Sequence, residues 1–129
     1  MENNDTCCIA KILKVIDILQ KECSNECVSE GCDRPFLGLN GCYIYNTRPI
    51  TLYNRDGGIF NVNYYVNNQL TTSNIFRVEN VSGCCATLRI LTSQVVEEVP
   101  VYTATNEFVT VNLECFCILR CLDDTFLEI

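Results

Sequence analysis

The sequence predicts a mainly β chain, an antiparallel β-sandwich or jelly-roll-like single domain with one N-terminal α-helix. Three observations carry this. Apolar residues recur at helical three- and four-residue steps near the start of the chain. From Phe36 onward, short runs rich in Val, Ile, Tyr, Phe and Thr alternate with turn residues, giving about seven or eight strands. The length of 129 residues and the apolar fraction of 48% suit one domain with a core of its own.

The helix is assigned within residues 1–22. Asp5 or Thr6 can cap it, because a short side-chain oxygen accepts from the unpaired N–H groups of a first helical turn. Ile9, Ile12, Leu13, Ile16 and Leu19 then form one stripe, with Lys11, Lys14, Asp17 and Lys21 largely off it. Such a stripe packs either on the chain's own sheet or on a neighbouring subunit. Ile9, Ile12, Ile16 and Leu19 are therefore candidate oligomer-interface residues. A cysteine-rich loop, 23–35, follows with Cys23, Cys27 and Cys32. Arg34-Pro35 ends it, since a residue before proline avoids the helical region.

Residues 36–129 form the β-domain. "CYIY" (Cys42–Tyr45) and "PITLY" (Pro49–Tyr53) read as short strands, and "NRDGG" (Asn54–Gly58) as a turn. "IFNVNYYV" (Ile59–Val66) is a further strand. "IFRVENV" (Ile75–Val81) alternates, and Ser82-Gly83 turns the chain into "CCATLRIL". There Cys84, Ala86, Leu88 and Ile90 share the core face, with Cys85 opposite. "VVEEVPVYTATNE" reads as an irregular edge strand with a turn, because proline is disfavoured in a central strand. Phe108 to Leu122 reads as one long strand whose odd positions, including Cys115, Cys117 and Cys121, face the core. Asp123-Asp124 reads as solvated charge ahead of an apolar tail.

Composition removes several functions. A net charge of −7 offers nothing to neutralise nucleic-acid phosphates. No apolar run is long enough to span a membrane, and no secretory signal is visible. The chain has no histidine, which excludes Cys–His and Ser–His nucleophiles. No phosphate-binding or nucleotide fingerprint appears, so neither an enzyme nor a cofactor is expected.

The chemistry left is that of the 11 cysteines, an odd number, so that not all can pair internally. Cys7 and Cys8 at the start, and outward-facing Cys85, are candidates for disulfides to other molecules. Cys23, Cys27, Cys32, Cys42, Cys84, Cys115, Cys117 and Cys121 are candidates for internal disulfides or buried thiols. No metal ligand set is assigned. Cys115 and Cys117 on one strand face would lie roughly 6–7 Å apart, long for two ligands of one tetrahedral ion. A cysteine-thiolate zinc protein is the alternative reading. Arg77 and Arg89 are candidates for arginine–carboxylate pairs between subunits.

"IFRVENVSGCCATLRIL" and "VNLECFCILRCL" resemble signature blocks of the CotY/CotZ spore-coat family, which includes the exosporium protein ExsY. Cys115, Phe116, Cys117, Cys121 and Leu122 match the family's closing block, while Ile118, Leu119 and Arg120 depart from it. "RPFLG" and "NTRPITLYNRDGGIF" resemble its middle region. The resemblance implies a structural protein of the endospore outer coat or exosporium, made in the mother-cell cytoplasm without a signal peptide. It implies self-assembly through hexameric rings into a disulfide-cross-linked two-dimensional lattice. It also implies contact with other spore-coat proteins. Thiols would stay reduced in the cytosol and oxidise once exposed.

Overall fold

The computed structural model describes residues 7–21 and 45–129. Helix α1 spans Cys8–Lys21. The strands are β1 (Ile50–Asn54), β2 (Val62–Val66), β3 (Gln69–Ser73), β4 (Ile75–Ser82), β5 (Cys85–Val96), β6 (Val99–Asn112) and β7 (Phe116–Cys121). Five strands make one antiparallel sheet in the order β6-β5-β4-β1-β7, and β2 and β3 make a separate hairpin. The fold is thus mainly antiparallel β with one N-terminal helix, and its sheets stack sandwich-like.

α1 lies on its own sheet, against β4. Leu13 and Ile16 are fully buried with Phe76, Val78, Leu88 and Ile90. Ile9 and Ile12 are partly buried against the same core, and Leu19 is half-buried. Ile16 thus sits in the chain's own core with Ile9 and Ile12 packed beside it, which corrects their assignment to an oligomer interface. The physical reason is that burying an Ile or Leu stabilises by about 1.5–3 kcal/mol. Within one chain that gain is free of the entropy lost on association. Gln20 fastens the helix: its Nε2 donates to the Val78 carbonyl at 2.8 Å, and its Oε1 accepts from the Arg48 N–H at 3.1 Å. The opposite face of the helix exposes Cys8, Lys11, Lys14, Ile18 and Lys21.

The expected long strand from Phe108 to Leu122 is broken. β6 stops at Asn112, whose side chain accepts from the Glu114 N–H at 3.0 Å and caps a single 3-10 turn, Leu113–Cys115. β6 and β7 are opposite edges of the sheet. In a flat sheet, four strand spacings would separate them by about 19 Å. Four Cα steps reach at most about 14 Å. The sheet therefore curls at this end and wraps buried Leu113 and Phe116 inside.

β5 and β6 form a longer hairpin than the sequence suggests. β4 begins opposite Leu91, so residues 92–103 project beyond it as a two-stranded arm. Glu97 and Glu98 turn the tip with φ of 54° and 68°. Positive φ at both positions defines the tight turn whose twist matches its strands. Pro100 is accommodated because β6 is an edge strand.

The C-terminal tail docks on the segment before β1. Thr47 bridges Thr125, and the Asn46 side chain bonds both the N–H and the carbonyl of Leu127 at 2.9 Å. Asp124 is not solvated. It is buried in a two-pronged pair with Arg48, at 2.6 and 3.0 Å.

Candidate functional site

The cysteines of the described residues sort differently from their strand parity. Cys7 is buried and disulfide-bonded to Cys84, with a Cα–Cα distance of 6.0 Å. This corrects the placement of Cys7 among the candidates for bonds to other molecules. The sulfur is held inside because the α1 stripe lays the helix start against the β4–β5 turn, where Gly83 takes φ 59°. Cys121, half-buried on β7, is disulfide-bonded as well. Cys23, Cys27, Cys32 and Cys42 lie outside the described residues.

Among the described residues the free cysteines are Cys8, Cys85, Cys115 and Cys117, and all four are exposed. For Cys115 and Cys117 this corrects the expected core-facing orientation. The 3-10 turn carries Cys115 out of strand geometry. A register shift where β7 meets Tyr53 and Asn54 then makes Cys117 an extra residue between the Asn54–Phe116 and Tyr53–Ile118 pairs. Phe116 points inward and Cys117 outward, its Sγ donating to the Asn54 carbonyl at 3.3 Å.

The four thiols converge on one end of the molecule. Cys8 and Cys85 each adjoin a member of the Cys7–Cys84 bond. The Leu113 N–H donates to the Cys84 carbonyl at 2.7 Å, which brings the 3-10 turn and Cys115 to the same place. Cys8 and Cys117 line one small cleft of about 150 Å³, together with Cys7, Arg55, Glu114 and Phe116. Arg55 fixes the floor of this cleft by donating twice to the Glu114 carbonyl, at 3.1 and 2.7 Å. A disulfide-stapled frame thus presents exposed sulfurs that an incoming thiol or disulfide can reach. Among the described residues no three Cys, Asp or Glu side chains gather as a metal site.

Arg77 and Arg89, expected to reach a neighbouring subunit, act within the chain. They face each other across β4 and β5, where like charges repel. A register shift at Glu79 places its carboxylate between them, bonded to Arg77 at 2.7 Å and Arg89 at 2.8 Å. Burial pushes the Glu79 carboxyl up. Hydrogen bonds from Arg89 and Arg77, with their positive charges, outweigh this and hold its pKa below the usual value. Arg89 also lies over the Phe108 ring, 4.5 Å from its centroid. "IFRVENV" showed the alternation of this strand; the extra residue at Glu79 left no mark in it.

The fold and its sulfurs define a class: a stapled β-domain that carries the free thiols of its described residues at one end. The family described as Spore coat protein Z matches residues 1–102, and the chain belongs to that family. Spore coat protein Z of Bacillus subtilis (strain 168) is 26% identical over an alignment of 140 positions, gaps included, that covers 95% of this chain and 93% of that protein. No solved structure matches the chain.

Proposed function

We propose that this chain is a structural, non-enzymatic subunit of the spore outer coat or exosporium. It self-assembles there into an ordered sheet and is then locked by disulfides between subunits. Family membership supports the coat role. The observation that carries the covalent part is the group of four exposed free thiols around the Cys7–Cys84 staple. Outside the reducing cytosol a small-molecule disulfide first oxidises one exposed thiol to a mixed disulfide and releases one small thiol; a thiolate on a neighbouring subunit then attacks the protein sulfur of that bond. The new interchain bond forms as the leaving thiolate departs. Cys7 is buried and Cys84 half-buried, so the four exposed thiols are the sulfurs a partner reaches first.

The geometry also suits tiling. Several thiols at one end let a subunit bond to more than one neighbour, and repeated contacts in a closed ring turn weak interfaces into a durable layer. A hexagonal layer of six-membered rings, anchored to other coat proteins on the spore surface, is the form we propose. Synthesis in the mother-cell cytosol keeps the thiols reduced until the layer is laid down.

Electron microscopy of the purified chain, with electrophoresis run with and without reductant, tests the reading. Ordered sheets or rings and a ladder of oligomers that collapses with reductant are expected. Discrete monomers with no ladder contradict it. So do stoichiometric zinc and the absence of any ordered assembly.

A further inference from the structure

Among the described residues the main sheet ends in β6 on one side and β7 on the other, and both edges are guarded. Pro100 interrupts the donors of β6 near the arm tip. β7 is short, carries Arg120 and is bent by its register shift. Such features are how natural proteins keep strand edges from pairing with other chains. The flank of β5 beyond Leu91 has none of them. Among the described residues β4 has ended there, and Thr92–Val96 pair with β6 alone, without charge, proline or register shift.

The direction of each backbone group follows from the turn. A two-residue hairpin turn at Glu97-Glu98 makes Val96 and Val99 its closing hydrogen-bonded pair. Alternation then directs Gln94 and Thr92 toward β6. It directs the N–H and C=O of Ser93 and Val95 toward the open flank. Leu91 is next in that series, and its carbonyl does accept from Ser73 Oγ on the β4 side. Four strand-forming backbone groups therefore face outward in a row. Beside them lies a cleft of about 580 Å³, bounded by Thr92, Ser93 and Gln94 on one side and Tyr64, Thr71 and Ser73 on the other. Among the described residues no Asp, Glu, Lys or Arg lines it.

We propose that this flank is a self-recognition edge: Thr92–Val96 of a second copy pairs with it, antiparallel, about a two-fold axis at Gln94. In that register Ser93 of one copy opposes Val95 of the other, twice. Both pairs are of the hydrogen-bonded kind, so all eight outward backbone groups of the two chains find partners. The arms merge into a four-stranded ribbon, β6-β5-β5-β6. This suits an arm that exposes Val95 at 72% and Val99 at 58%, because a lone two-stranded ribbon is marginal in water. The net charge of −7 on each copy is repulsive, and salt screens it. The tip glutamates of the two copies end about 20 Å apart by strand rise, beyond the screening length at physiological salt. The cleft supplies room for the incoming strand.

This inference rests on the self-assembly reading and adds a contact at the end of β5 opposite the thiols. The test is residue-resolved amide exchange on the full chain, dilute and assembled, in the wild type and in Val95→Pro. That proline removes an outward donor without touching the β5–β6 ladder. The Ser93 and Val95 amides should exchange at least about ten-fold more slowly once copies associate. Gln94 and Val96, bonded to β6 in both states, should change little. Val95→Pro should raise the protein concentration needed for association about ten-fold or more. Equal exchange of Ser93 and Val95 in both states overturns the proposal. So does association of a folded Val95→Pro variant at the wild-type concentration. If that variant does not fold, the wild-type exchange decides alone. Protection that appears only on adding another coat protein overturns the choice of a second copy. Sheets and ladders with an unprotected arm defeat this inference and leave the shell reading intact; a protected arm dimer without sheets or ladders does the reverse.

Discussion

Arg48 and Asp124 show what a single residue pair contributes here. Both side chains are nearly inaccessible, at 3% and 2%. Breaking a buried pair leaves one charge stranded, so Arg48→Ala should cost about 3–5 kcal/mol, read as a lowered denaturant midpoint. The sequence hid this pair because its members are 76 residues apart and Asp124 sits in an acidic doublet. Glu79 gives a pH dependence of definite sign. Its folded pKa lies below the ordinary value of 4.5, so the folded state binds the proton less tightly than the unfolded state. The stability it contributes is fully present above that ordinary value and fades as pH falls through the folded pKa. Glu79→Gln should flatten the acid limb of a stability–pH curve; an unchanged limb would count against the Arg77–Glu79–Arg89 account.

Elements were legible where one period ran unbroken. The three- and four-residue stripe gave α1, the Asp-Gly-Gly turn gave the end of β1, and the alternation of Ile75–Val81 gave β4. Parity failed at Leu113–Cys115, because a 3-10 turn shorter than one repeat leaves no pattern; the turn re-aimed Cys115, and the register shift after it re-aimed Cys117. The arm was obscured for a different reason. Glu-Glu is a poor signature for a turn with both φ positive, a conformation that costs a non-glycine residue about 1–2 kcal/mol. Glu97→Asn with Glu98→Gly should therefore stabilise the arm by about 1 kcal/mol, seen as slower exchange of the Gln94 and Val96 amides. The Cys7–Cys84 staple spans 77 residues of sequence. Replacing both cysteines with Ser should cost about 2–4 kcal/mol in thermal unfolding, and reduction of the wild type should shift it the same way.

At the scale of the whole molecule, β5 is the axis. It starts at Cys85 among the free thiols and ends at Val96 in the arm, roughly 36 Å away by strand rise. Curling of the sheet gathers sulfurs from the helix start, β5, the 3-10 turn and β7 onto one pole. The sequence foretold the cysteine load and the family, but no one-dimensional pattern gathers residues 8, 85, 115 and 117 together. The two proposed contacts, one covalent and one made by strand pairing, would lie at opposite ends, as a network needs. The most direct test of the thiol pole is mass-spectrometric mapping of disulfides in the assembled layer. Interchain bonds through Cys8, Cys85, Cys115 or Cys117, with Cys7–Cys84 kept inside every subunit, are the predicted result. A map with every bond intramolecular, or with Cys7 and Cys84 bridging subunits, would contradict the account.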